Sequence, residues 1–410
     1  MFEEATVPAR LAPLLAKIDR LYEAEVRPRE EALVHRLLNS SGYLDADGRL
    51  HPELWQARRE IMRAAGKAGI YAAHLPKEIG GRGLGRRDMV FVEEQVYQYG
   101  IGLNPALLSW SEGATPRLIW CGPHAKERYV DPLVKGLATS LHGVTEPHAG
   151  SNFFDFTTNA VRKRGGTWVL NGHKAFITNA FEADVAQVLC VTDPGKGRRS
   201  FSYFQFLTSE HRGKAFRTGR LFQTMWDDGI TGEFVLDGLQ LTDDDMIGER
   251  GQGFEIAMSS INWTRMRRGG MCSGWGRYLI ERTVERLQSR TVGGKPLAAN
   301  QGLQWMVADM VTDWFGARAL SLAVAEAVDT PGPWWKMPRP KHEIRQICMV
   351  KLANDEAFHR IADRAVQLHG GAGMLKDNPV NKIALIARNL RVPGGSDEVQ
   401  RSTIAQTLGL

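Results

Sequence analysis

Two short segments carry groups that could surround a flat heteroaromatic ring. One is His142-Gly143-Val144-Thr145-Glu146-Pro147-His148-Ala149-Gly150-Ser151, and the other is Phe176-Ile177-Thr178. Set side by side, they would place hydroxyls, backbone amides and an aromatic ring on one surface. A planar cofactor needs that combination: hydrogen bonds along its edge and apolar contact on its face. Taken singly, each segment also reads as a turn beside an ordinary core aromatic, because turn residues have local uses. Other motif chemistry is missing. There is no strand-GxGxxG-helix unit with a downstream acid, and Gly81, Gly83 and Gly85 form only a GxGxG turn. GxxxxGK[ST], HExxH and GxSxG are absent as well.

The elements that must hold those segments change along the chain. Leu11 to Leu38 and Glu53 to Ala65 carry apolar residues at helical spacing among charges, and Gly80 to Gly85 separates them from a helical run beginning near Asp88. From about residue 139 the runs shorten and become β-prone: 157–163, 167–170, 174–177, 187–192, 201–207 and 233–236. Gly165-Gly166 and Asn171-Gly172 punctuate them, and Asn-Gly between two such runs predicts a hairpin. After Gly251-Gln252-Gly253 the helical spacing returns, with Leu303, Met306, Val307, Met310, Val311 and Trp314 forming one stripe. Lys341 to Leu368 predicts a further long helix, and the proline-rich stretch Asp329 to Pro340, with Trp334-Trp335, predicts a partly exposed loop before it. The reading is α+β: an N-terminal helical domain (1–138), a central, mostly antiparallel β domain (139–250) and a C-terminal helical domain (251–410).

Composition agrees and excludes other classes. The 410 residues suffice for two to three domains at about 150 residues each. At 43% hydrophobic and 24% charged, the chain is neither disordered nor fibrous. The net charge of +6 is scattered, with Arg162-Lys163-Arg164 the longest basic run, so no nucleic acid is expected and a small anionic ligand explains the surplus equally well. Four separated cysteines without a CxxC pair argue against zinc or a disulfide framework and for a reducing compartment. With no apolar signal region and no run near the roughly 18 apolar residues of a membrane span, the chain reads as soluble and cytoplasmic, with no membrane partner.

Four ordered motifs make this sequence resemble the acyl-CoA dehydrogenase family over nearly its whole length. They are Val144 through Ser151, Gly251-Gln252-Gly253-Phe254, Gln367-Leu368-His369-Gly370-Gly371-Ala372-Gly373 and Asp397-Glu398-Val399-Gln400-Arg401. The resemblance implies the family fold with a C-terminal four-helix bundle, FAD as cofactor and an acyl-CoA or related thioester as substrate. It also implies a homodimer or homotetramer, because FAD is shared between subunits, and leaves an electron-transfer partner open. By resemblance, the segment of His142, Val144, Thr145 and Ser151 meets the flavin ring, and Phe176 and Thr178 lie against its other edge, Thr178 near N5. Arg290 and Gln301 of a neighbouring subunit would hold the diphosphate and adenosine end; Arg290 alone also reads as a solvated helix-end cation. Gln367, Gly370 and Gly371 would form a turn against the diphosphate, or simply a helix C-cap, and Ser396 and Glu398 would touch the adenosine end. Ser151, Asn262 and Arg265 resemble acyl-CoA contacts. Arg265, Arg267 and Arg268 could attract CoA phosphates, bind a carboxylate-bearing acyl group, or line a solvated helix face. Phe176, Asn262 and Gly293 depart from a common Trp, Asp and aromatic residue respectively.

The resemblance breaks where the reaction needs a base. The family's Glu, just before a Gly-Thr or Gly-Ser pair, corresponds to Gly394, and the alternative position before the matched Arg corresponds to Thr264. Neither can remove an α-proton as a carboxylate would. Glu112, in a segment (109–115) that resembles a pocket-lining helix, is the candidate replacement, and it also reads as a helix-surface acid. The expected reaction is α,β-dehydrogenation of an acyl thioester. The alternatives are desulfination, flavin-dependent oxygenation, or a catalytically weak protein that binds flavin and acyl-CoA.

Overall fold

The computed structural model describes residues 6–410 except 39, 111, 226–227 and 330–338. The predicted loop at Trp334-Trp335 therefore lies outside the described residues.

Three helices of ten or more residues lie in the N-terminal third: α1 (Ala12–Leu21), α2 (Pro52–Lys67) and α3 (Arg86–Tyr97). Helix α2 shows how sequence sets such an element. Pro52 needs no amide partner in the first turn, and the His51 ring caps the helix by accepting the Glu53 N–H at 3.3 Å. Leu54, Ala57, Ile61, Met62 and Ala65 then fall on one buried face.

The middle of the chain forms an eight-stranded sheet. Its strands are β1 (Ser140–Gly143), β2 (Asn159–Arg162), β3 (Trp168–Thr178), β4 (Val185–Val191), β5 (Phe201–Leu207), β6 (Phe216–Leu221), β7 (Thr231–Leu241) and β8 (Met246–Ile247). The order is β6-β7-β3-β2-β4-β5-β8, with β1 pairing parallel to β4 and most other neighbours antiparallel. Strands β4 and β5 are buried on both faces. One face packs Phe204 and Phe206 against Trp168, Phe216 and Phe234, while the other sends Leu189 and Tyr203 toward Ile256 and Ala257 of the C-terminal part.

The predicted Asn171-Gly172 hairpin is wrong. Strand β3 runs straight through those residues, and the β2–β3 turn sits at Gly165-Gly166, where φ is 94° and 88°. Pairing across both neighbours overrides the local turn signal. Gly172 instead lies at a register shift against β7 and under the Thr158 side chain, which a Cβ there would strike.

The C-terminal part holds α4 (Gly253–Ser289), α5 (Gln301–Asp329), α6 (Lys341–His369), α7 (Pro379–Leu390) and α8 (Asp397–Thr407). The N-terminal, sheet and C-terminal parts thus follow in the order the sequence implied. Helix α4 is buried along most of its length, and α3, α5 and α6 all pack on it. Two glycines set the closest approach. A Cβ at Gly270 would lie 2.6 Å from the Val90 carbonyl, and one at Gly274 would lie 2.7 Å from that of Glu94. Small residues here draw α3 against α4 and bring Glu93 to Arg267 of α4.

Candidate functional site

The structure brings the segments 142–151 and 176–178 together. The Ala175 N–H donates to the Thr145 carbonyl at 3.0 Å, and Lys174 Nζ donates to the Val144 carbonyl at 2.8 Å. Lys174 also pairs with Glu146 at 2.9 Å, both side chains being buried. Glu146 accepts the backbone N–H groups of Thr157 (2.8 Å) and Thr158 (2.9 Å) as well. Burial pushes the Glu146 carboxyl up, but Lys174 and these donors prevail and bring it down to about 2. This anchor was not foreseen. Its only trace in the sequence is an acid within the first segment and a lysine two residues before Phe176.

The end of β3 is strained. Phe176 has φ 56° and Asn179 has φ 64°, the two non-glycine residues with positive φ among those described, and they bracket Ile177-Thr178. An aromatic residue in the left-handed region costs about 1–2 kcal/mol. The result is a ring 61% exposed, stacked on Phe222 with centroids 4.6 Å apart, beside the half-buried Thr178. Asn179 donates to the Ser140 carbonyl at 3.2 Å, and its buried Oδ1 has no partner among the described residues. Strain that presents an apolar face next to a hydroxyl is what a flat cofactor would use.

His142 meets the guanidinium of Arg117. Burial, and then Arg117, hold its imidazole neutral, well below the usual histidine range. Arg117 is itself buried. It donates to Gln187 at 3.0 Å and to Thr115 at 2.9 Å, with no carboxylate partner among the described residues. Ser151 is exposed beyond the Glu146–Ala149 bridge.

A second group of candidates gathers where α4 meets the 390–396 loop. Arg265 Nε donates to the Gly394 carbonyl at 2.9 Å, and its Nη1 reaches Asn262 Oδ1 at 3.4 Å. Gly394 and Gly395 have φ 79° and 88°, which glycine alone adopts without strain. A Cβ at Gly394 would lie 3.8 Å from Thr264 Cγ2. The two positions that lack the expected carboxylate therefore face one another across one spot.

Arg267 and Arg268 correct the sequence reading, since neither lines a solvated face or stands open to phosphates. Both are buried: Arg267 pairs with Glu93 at 2.6 Å, and Arg268 with Asp355 at 3.2 Å. Charges on a helix default to solvent unless partners exist, and these partners lie far off in sequence on α3 and α6. The 109–115 segment is also corrected: its described residues, 109–110 and 112–115, form no helix. Glu112 is half-buried there, and its carbonyl accepts the Ser140 N–H at 2.8 Å, tying the turn to β1.

The remaining candidates lie elsewhere. Arg290 and Gln301 are exposed at the two ends of a short connection that includes the Thr291–Val292 and Lys295–Pro296 hairpin. Gln367, Gly370 and Gly371 close α6, and a Cβ at either glycine would touch nothing within 4 Å. At 1.5 Å rise per residue, Arg290 stands about 39 Å along α4 from Thr264. Ser396 caps α8, accepting the Val399 N–H at 3.5 Å, and the exposed Glu398 sits in its first turn, where the helix dipole favours an acid.

A three-part order of helices, sheet and helices, with a strained aromatic edge at the sheet end, defines a known class of protein. Three family descriptions match in sequence: the acyl-CoA dehydrogenase N-terminal domain over 43–137, middle domain over 142–238 and C-terminal domain over 251–409. An acyl-CoA dehydrogenase of Bacillus subtilis (strain 168) is 29% identical over 351 residues, covering 85% of this chain and 89% of that protein. The solved butyryl-CoA dehydrogenase from Megasphaera elsdenii is 25% identical with a TM-score of 0.81, covering 99% of each chain. The FAD complex of PigA shares the fold at a TM-score of 0.82 and 22% identity, again over 99% of each chain. The chain belongs to the acyl-CoA dehydrogenase family. It is an oxidoreductase enzyme that uses a flavin.

Proposed function

We propose that this enzyme is FAD-dependent and removes the α- and β-hydrogens of an acyl thioester, with CoA as the thiol carrier. The outward ring of Phe176, held in a strained backbone beside Thr178 and against the 142–145 segment, carries this reading. These residues fit a flavin ring: an aromatic face, a hydroxyl edge and the leftover Asn179 Oδ1. When bound, the flavin supplies the acceptor for the β-hydride. Phe176 covers the ring and keeps water off it, Thr178 bonds its edge, and His142 contributes a neutral imidazole to that wall.

Arg265, Asn262 and Ser151 orient the thioester end. The α-proton requires a base, and Glu112 is our assignment. Its neighbour Gly113 lies against the Tyr71 hydroxyl, and Arg267, one turn along α4 from Thr264, holds the nearby Ser109 carbonyl at 2.6 Å. That chain of neighbours leads from Glu112 to the spot left without a carboxylate. The distance of Arg290 from Thr264 supports its serving, with Gln301, Gln367, Gly370, Gly371, Ser396 and Glu398, the diphosphate and adenosine end of a cofactor shared between subunits. A homodimer or homotetramer follows, and an electron-transfer partner would reoxidise the enzyme.

Anaerobic mixing with a panel of acyl-CoAs tests the reading. Loss of the flavin's visible absorbance with at least one chain type is expected, and no bleaching with any of them overturns it. Release of FAD on denaturation, identified by mass, is expected from the purified protein.

A further inference from the structure

One turn beyond Thr264, the fold buries polar atoms that have no hydrogen-bond partner among the described residues. The Arg267 side chain is 1% exposed. Its Nε pairs with Glu93, its Nη1 donates to the Ser109 carbonyl at 2.6 Å, and Trp110 and Trp263 lie 4.4 and 4.7 Å from the guanidinium carbon. Its Nη2 has no hydrogen-bond partner among the described residues, and the buried Tyr71 hydroxyl has none either. Both side chains converge on one turn. Ser109, whose carbonyl Arg267 holds, donates its own N–H to the Tyr71 carbonyl at 2.8 Å. The Tyr71 hydroxyl occupies the space left by Gly113, where any Cβ would strike it. An unmade hydrogen bond on a buried polar group costs about 1–3 kcal/mol, and native interiors leave few of them. Two donors left over in one neighbourhood mark a place for an acceptor.

We propose that Tyr71 Oη and Arg267 Nη2 form a receptor for an oxygen atom carried on the acyl chain, so that the substrate is an oxygen-bearing acyl thioester rather than a plain alkanoyl one. This rests on the acyl-thioester reading above and names its substrate class. Thr264 and Arg267, spaced i and i+3, share a face of α4, so an acyl chain reacting near Thr264 has this pair in its path. Glu93 and Glu112 face the pair with negative charge, and Arg86 adds positive charge near Glu93. The oxygen is either a carboxylate or a neutral carbonyl; both accept from the same two donors.

Three CoA thioesters of matched length distinguish the cases: one ending in a carboxylate, one in a carboxamide and one in a methyl group. Rates of anaerobic flavin bleaching are expected to give a kcat/KM at least about tenfold higher for one or both oxygen-bearing substrates than for the methyl one. A preference for the carboxylate names the anion as the source, and equal rates for carboxylate and carboxamide name the neutral acceptor; either supports the site. Tyr71→Phe, which keeps the packing, is expected to reduce the oxygen-to-methyl ratio severalfold through KM. Replacing Arg267 alone would strand Glu93, so the paired E93Q/R267M variant is used, and it is expected to reverse the preference. Bleaching with all three substrates at equal efficiency overturns this inference and leaves the dehydrogenase reading standing. Bleaching with none overturns both. An unchanged ratio in Tyr71→Phe also overturns the receptor.

Discussion

The end of β3 and the 390–396 loop are held in opposite ways. At β3 the backbone itself is strained, at Phe176 and Asn179, and the ring it presents lies mostly open to solvent. At 390–396 the positive φ values fall on glycines, and buried side chains grip the carbonyls. Lys351 holds that of Arg391 at 3.1 Å, Arg265 that of Gly394 at 2.9 Å, and Gln400 that of Gly395 at 2.8 Å. The first region keeps an exposed surface ready for a partner, while the second fixes a loop with great rigidity yet offers no carboxylate at Gly394. On the function proposed above, the cofactor side keeps an aromatic face, while the proton side keeps only its framework.

Restoring or removing a carboxylate gives the largest effects. Glu112→Gln should lower the rate of flavin reduction by about 10²-fold or more, the usual loss of a general base, with little change in substrate binding. Stopped-flow bleaching measures it, and a change below threefold would remove Glu112 from the mechanism. Glu at position 394 would have to adopt φ 79°, a strain of about 1–2 kcal/mol. Thr264→Glu reaches the same spot from a regular helix, and at fixed Glu112→Gln it should restore part of the lost rate.

The clamp itself should be next. Lys351 is fully buried and bonds Asp355 at 2.8 Å and Asp397 at 3.0 Å. Lys351→Met removes the cation the two acids share but leaves Asp355 with Arg268 and Asp397 with Arg391, so a loss of about 1–3 kcal/mol in denaturant unfolding is expected. A loss under 1 kcal/mol would mean that the loop is positioned by its glycines alone.

How much of this contrast could be read beforehand differs between the regions. Helix α5 was legible because Leu303, Met306, Val307, Met310, Val311 and Trp314 repeat at helical spacing, and α6 because Lys341 to Leu368 carries no breaker; local spacing is all that helix formation needs. Phe176 and Thr178 were singled out through resemblance, but the strain at Phe176 and Asn179 was not legible, since φ belongs to the assembled sheet. Asn171-Gly172 misled because a turn signal yields to pairing on both sides of β3. Arg267 and Arg268 were misread for the same kind of reason: Glu93 and Asp355 lie on other helices, and nothing local to α4 announces them. The contacts that decide the site are the long-range ones.

The anchor between the 142–151 and 174–178 segments gives a pH test. The Glu146 carboxyl sits near 2 rather than at its ordinary value, so it contributes stability above about pH 4.5 that is lost as pH falls toward 2. Lys174→Met removes the main attractive partner and should raise that carboxyl, moving the acid-unfolding midpoint of the protein to higher pH. An unshifted midpoint would show that the N–H groups of Thr157 and Thr158 hold the charge by themselves.

The smallest effect separates strain from function at β3. Phe176→Gly lets the backbone keep φ near 56° without the penalty an aromatic residue carries there, a gain of about 1 kcal/mol. Against it stands the loss of a mostly exposed ring whose one aromatic neighbour among the described residues is Phe222, and added flexibility in the unfolded chain. The flavin-free protein should therefore melt within a few degrees of the parent, while flavin dissociates more readily on dilution. Phe176→Ala keeps the strain and loses the ring, so it should melt lower than Phe176→Gly while releasing flavin to a similar degree. If both variants retain flavin as the parent does, the strained ring has no cofactor to face, and the contrast with the 390–396 loop reduces to one of packing.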